Sequence, residues 1–143
     1  KRLEQAAERW PMKAFTHYVA GEDDGTWFNS PEGIDFFRTA EQLGLIASIS
    51  MAPHHQQELR KVAERHPDLN ILCHHMSGMR AHGDDARANL ENVIESSKLQ
   101  NIYLKLSGFH YLTHNHYLII PIHNTLFHFA RMKSLYHTPT HDT

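Results

Sequence analysis

Residues 70 to 78 read NILCHHMSG, a short apolar run that breaks into two adjacent histidines and then into a loop-like ending. Imidazole is the common ligand of first-row metals and the natural general base near neutral pH, so His74 and His75 at a strand end could bind a metal or move a proton. On a period of two, Ile71, Cys73 and His75 point to one face while Leu72 and His74 point to the other. Strand alternation therefore admits one of the pair to a common site. About thirty residues on, NIYLKLSG places Tyr103, Lys105 and Ser107 on one face of another strand, which puts a lysine among residues expected to be buried. His54 and His55 come just after another strand, LIASISM. An ordinary polar rim is the competing reading for each histidine taken singly, since half-exposed imidazoles are mostly solvated or hydrogen-bonded. HExxH and HxxEH are absent, and the HxH of His114 and His116 stands in an irregular stretch, so it is a weak metal signal.

The elements that would position these residues alternate between β-like and helical patterns. MKAFTHYV, 12 to 19, reads as a strand that enters the acidic loop GEDDGTW. Ser30 can cap a helix with Pro31 at its first position, an apolar stripe of Phe36, Phe37, Ala40 and Leu43, and Gly44 where a left-handed C-cap is wanted. LIASISM, 45 to 51, is the second strand. Pro53 opens a helix through QQELRKVAER with Leu59, Val62 and Ala63 inward, and His66-Pro67 ends it. NILCHH is the third strand, a helix runs from about Asp84 with Ala86, Leu90, Val93 and Ile94 at helical spacing, and residues 101 to 108 make the fourth strand. Strand starts at 45, 70 and 101 are each separated by one amphipathic helix, as right-handed βαβ crossovers require, so a parallel sheet is expected. In such folds function gathers at the carboxyl ends of the strands, where these histidines, Lys105 and Ser107 fall.

Composition narrows the classes. A net charge of −2 gives no electrostatic case for nucleic acid, and no apolar run approaches the ~20 residues of a membrane span. KRLEQAAERW at the start has no secretory core, so a soluble cytoplasmic protein is expected. Cys73, the single cysteine, excludes an internal disulfide and reads as a buried strand residue. Half of the fourteen histidines fall in residues 109 to 143, where FHYLTHNHYLIIPIHN has neither strand alternation nor a helical stripe, although NTLFHFARMKSLYH could form one more helix.

The phrases ELRKVAERHPDLNILCHHMSG and NIYLKLSGF, with TWFNSPEGIDFFRTAEQLGLIASI upstream, resemble in order the amidohydrolase-related metal-dependent hydrolases. That TIM-barrel family includes lactonases and related decarboxylases. The resemblance covers about residues 12 to 112. It implies an α/β fold built as part of a (β/α)8 barrel, about four βα units with parallel strands, over 1 to 112, followed by a divergent histidine-rich segment over 113 to 143. It implies hydrolysis of a lactone, amide or related carbonyl in a small-molecule substrate through water activated by a divalent metal, zinc or manganese. His75 takes the place of the family's strand-end histidine, a metal ligand or proton-transfer group, while His74 stands where the family has an acidic residue. Lys105 and Ser107 fall in the phrase that shapes and polarises the pocket, and Arg80 lies where it could hold a substrate carboxylate.

The family's amino-terminal His-x-His and closing aspartate are not found in place, and a whole barrel needs about 250 residues. The expectation is therefore an internal piece of the enzyme, or a reading that shifts frame near residue 112, inactive alone and prone to self-association through unclosed sheet edges. Two other readings fit the residues: a small non-catalytic α/β domain that binds a ligand or partner, and a histidine-rich metal-binding tail on an inert core. The absence of GxGxxG or GxxxxGK phosphate loops weighs against the first.

Overall fold

The computed structural model describes residues 2 to 80 and 83 to 108. The HxH of His114 and His116, the helix expected within 124 to 137, and the domain boundary at 112 all lie outside the described residues. Within them the order is α1 (Arg2–Arg9), β1 (Ala14–Tyr18), α2 (Pro31–Gln42), β2 (Ile46–Ser50), α3 (Gln56–Arg65), β3 (Ile71–Cys73), α4 (Ala86–Ser96) and β4 (Ile102–Leu104). The strands form one parallel sheet in the order β1-β2-β3-β4. This is the expected α/β class, with consecutive parallel strands of the kind that build part of a (β/α)8 barrel. No helix among the described residues is long and apolar enough to cross a membrane.

Local chemistry sets the helix ends. The Ser30 hydroxyl accepts the Gly33 N–H at 3.1 Å with Pro31 opening α2. At the far end the Gly44 N–H reaches the Glu41 carbonyl and the Leu45 N–H reaches Ala40, a Schellman closure that Gly44 permits by taking φ 62°. Gly33 has its own reason to be glycine. A Cβ there would sit 2.1 Å from the Trp27 carbonyl oxygen, where the turn Thr26–Asn29 crosses the start of α2.

The sheet has two unlike faces. Ala47 and Ile49 of β2, Ile71 and Cys73 of β3 and Ile102 of β4 are buried with Phe37, Ala40, Leu59, Val62 and Ala63 of the helices. Each large aliphatic group withdrawn there contributes about 1.5–3 kcal/mol. Rings of Phe15, Trp27, Phe28, Phe36 and Phe37 fill the β1 end of this layer, Phe28 meeting Phe37 edge-on at 5.7 Å. The other face carries the register row Thr16, Ser48, Leu72 and Tyr103. It remains partly open among the described residues, with Tyr18 72%, Tyr103 42% and Ile46 40% exposed.

Two features depart from the sequence reading. The expected strand over 70 to 75 stops at Cys73, and the one over 101 to 108 stops at Leu104. The segment Arg2–Arg9, which drew no prediction, is helical and buries Leu3 in the main core. Polar satisfaction closes the α3–β3 connection. The Asn101 side-chain amide, buried at the start of β4, donates to the carbonyls of Ala63, His66 and Leu69 at 3.1, 2.9 and 3.1 Å. Asn101→Ala removes the side-chain donor from all three carbonyls, of which that of His66 keeps the Leu69 N–H, and urea denaturation of the full chain is expected to show a loss of about 1–3 kcal/mol. A change below a few tenths of a kcal/mol contradicts that role.

Candidate functional site

Where β3 ends, the chain makes a left-handed turn rather than continuing the strand. His75, Met76 and Ser77 have φ of 47°, 53° and 59°, followed by Gly78 at 64°. Each of the three non-glycine residues costs on the order of 1 kcal/mol or more in this conformation, so the surroundings must impose it. They do so from four directions. The Met76 N–H donates to the Lys105 carbonyl at 3.1 Å, and the Lys105 N–H donates to the Cys73 carbonyl at 2.8 Å, which prolongs the β3–β4 pairing past both strands. The Met76 side chain is fully buried in a small cluster with Met79 and Val93. Gln56 donates to the Ser77 hydroxyl at 2.6 Å. Gly78 passes the Met51 carbonyl so closely that a Cβ would lie 3.1 Å from its oxygen.

This turn revises what strand alternation implied for the histidine pair. His74 does stay on the face of Leu72: its Nε2 is hydrogen-bonded to the Ser48 hydroxyl, and its ring lies 6.4 Å from that of Tyr18. His75 no longer follows the strand. Its ring is 5.4 Å from His74 and nearly perpendicular to it, and its Nδ1 lies 3.1 Å from the Ser107 hydroxyl. Both imidazoles therefore stand together at the carboxyl end of the sheet, because a left-handed backbone removes the two-residue alternation that would have separated them.

The surroundings of His74 favour its neutral ring. Burial pushes the His74 imidazole below its ordinary value, and the Lys105 ammonium and His75 push it the same way. Lys105 is half-buried near His74, whereas Tyr103 is exposed. The structure thus brings His75, Lys105 and Ser107 together with His74. Arg80 is exposed and lines a surface depression with His54, Gly78, Asp84, Asp85 and Asn89.

Other histidines serve the fold. His55 is fully buried; its Nδ1 accepts the Ala52 N–H at 3.1 Å and its Nε2–H donates to the Asp23 carbonyl at 2.5 Å, tying the loop after β1 to the turn Pro53–His55. His66 Nδ1 meets the Glu41 carboxylate at 3.0 Å, whose other oxygen accepts the Asp68 N–H at 3.0 Å. Ser48 and Gln56 are the polar residues that sequence reasoning passed over. Their signal was a hydroxyl inside an apolar strand and an amide on the inward face of α3.

Parallel βα units with imidazoles, a lysine and a hydroxyl gathered at the carboxyl ends of neighbouring strands are the arrangement of an enzyme of the TIM-barrel type. The family model described as amidohydrolase matches residues 2 to 135, and the chain belongs to that family, a hydrolase family that is generally metal-dependent. The match runs past residue 112 into the histidine-rich segment. No curated protein and no solved structure matches the chain. The described residues suit a metal only in part. No three His, Cys, Asp or Glu side chains gather among them, whereas a catalytic ion usually takes about three protein ligands. They offer strand-end imidazoles and not a complete ligand set.

At the end of β1, His17 stacks on Trp27 with ring centroids 5.0 Å apart, on the helix-covered side, and lines a cavity with Tyr18, Asp23 and Phe28. Burial lowers its pKa, and the Asp23 carboxylate partly opposes this. A fold that prefers the neutral ring keeps the associated stability above the ordinary value of ~6.5 and loses it as pH falls through the lowered one. Trp27 emission is expected to be quenched on acidification with a midpoint below ~6.5, a component missing in His17→Gln. A midpoint at or above the ordinary value contradicts this placement.

Proposed function

We propose that the chain contributes part of the active site of a metal-dependent hydrolase acting on a lactone, amide or related carbonyl of a small molecule. The observation that carries the reading is the His75–Ser107 contact at 3.1 Å. If His75 Nδ1–H donates to the hydroxyl, that contact fixes the tautomer and leaves the lone pair on Nε2, which is how a ligating imidazole is usually held. A divalent ion, zinc or manganese, supplies an activated water when bound. His75 is the donor these residues bring to it, and the remaining ligands are assigned to no described residue.

The other roles follow from position. Lys105, beside His74 and His75, supplies positive charge where a carbonyl oxygen gains negative charge, a form of assistance that costs no reorganisation in a preset site. Ser107 orients His75 and forms part of the pocket wall. Arg80, which lines a surface depression with His54 and Gly78, is assigned to a substrate carboxylate. The non-catalytic binding-domain reading is set aside because nothing in such a domain requires the strained turn that aims His75.

Two measurements on the 143-residue chain test this. Manganese titration is expected to broaden the His75 ring resonances selectively, and His75→Gln or Ser107→Ala to weaken zinc or manganese affinity by roughly 10–100-fold. Turnover of lactones and amides by the chain alone is expected to be slight. Unchanged affinity in His75→Gln, or substantial metal-dependent hydrolysis that survives that substitution, overturns the assignment.

A further inference from the structure

The turn that carries His75 is held by a buried amide whose orientation is dictated from behind. Gln56, the first residue of α3, is fully buried. Its Oε1 accepts the Ser96 hydroxyl at 2.5 Å, and its Nε2 donates to the Ser77 hydroxyl at 2.6 Å and faces the Cys73 sulfur at 3.9 Å. Ser96 also receives the Arg60 guanidinium at 3.0 Å. Since a guanidinium only donates, the Ser96 proton goes to an acceptor, and Gln56 Oε1 at 2.5 Å is much nearer than the Asn92 carbonyl at 3.5 Å. The amide must then present its N–H groups to Ser77.

Arg60 is fixed in turn. It donates to the Asn92 carbonyl at 2.8 Å and to the Asn92 side chain at 3.0 Å, and Asn92 donates to the Pro53 carbonyl at 2.7 Å. The chain of bonds joins α3, α4 and the end of β2 to one hydroxyl in the left-handed turn. An apolar side chain would fill the same space without desolvating an amide, so the polar choice calls for a reason beyond packing.

We propose that Gln56 is a positioning residue: through Ser77 it fixes the left-handed turn that places His75 against Ser107. Its functional meaning rests on the reading of His75 above. The geometry does not, and the two fail separately, because the test below needs neither metal nor substrate.

The experiment records the ring-nitrogen resonances of His75 in the full, histidine-labelled chain, assigned by their loss in His75→Gln. Ser77→Ala removes the hydroxyl and keeps the Cβ that disfavours the turn; Ser77→Gly removes the hydroxyl as well but favours positive φ. Ser77→Ala and Gln56→Met are expected to shift the His75 nitrogens away from their Ser107-bonded positions, while Ser77→Gly restores the native shifts. A residue that only stabilised the core would lower the melting temperature in every variant and leave the His75 resonances of the folded state in place. Native His75 shifts in Ser77→Ala overturn the proposal, and so does a displacement in Ser77→Gly as large as in Ser77→Ala. If Gln56→Met does not fold, the two Ser77 variants decide it.

Discussion

The hydrogen bond from the Met76 N–H to the Lys105 carbonyl links the two halves of the site. A parallel ladder would ordinarily carry β3 straight on beside β4. Here the pairing continues on the β4 side through Lys105, while the β3 side coils left-handed around the same bond. His75 and Ser107 can then meet across the strand ends, and His74 can keep its place over Ser48. A right-handed or extended continuation would direct the residue after His74 elsewhere. The conformational cost of three non-glycine residues at positive φ is met by burying Met76, by the amide at Ser77, and by a glycine where the backbone touches Met51.

The elements that depend on near-neighbour chemistry were legible in the sequence. Ser30-Pro31, the stripe of Phe36, Phe37, Ala40 and Leu43, and Gly44 each encode one local preference, and α2 uses them all except that Leu43 is left 41% exposed. That the strands run parallel was legible because a single helix separates each pair of apolar runs. Strand ends were not. NILCHH and NIYLKLSG look like six- and eight-residue strands by composition, but the turn after Cys73 is imposed by Lys105, Gln56 and Met51, residues remote in sequence. Alternation alone assigned the wrong geometry to the histidine pair. The helix Arg2–Arg9 was missed because its polar residues conceal a single anchor, Leu3.

Histidine abundance was the least informative part of the composition. Imidazole serves this fold at buried junctions between elements. His55 joins Ala52 to Asp23 across two loops, and His66 joins the end of α3 to Glu41 on α2. What separates His74 and His75 from them is the company they keep: a lysine, two hydroxyls and a strained backbone.

The same contrast explains why the two faces of the sheet differ. On the helix-covered face, each strand presents a side chain that packing alone specifies, such as Ile49, Ile71 or Ile102. On the other, Thr16, Ser48, Leu72 and Tyr103 share a row that is neither uniformly apolar nor fully covered among the described residues. Ser48 gains its reason one row above, where its hydroxyl holds the His74 ring. A hydroxyl in the middle of IASIS is thus costly to the strand as a packing unit and useful to the site as a fixed partner. The helix-covered face determines where the strands lie, and the polar choices on the open face determine what their ends can hold.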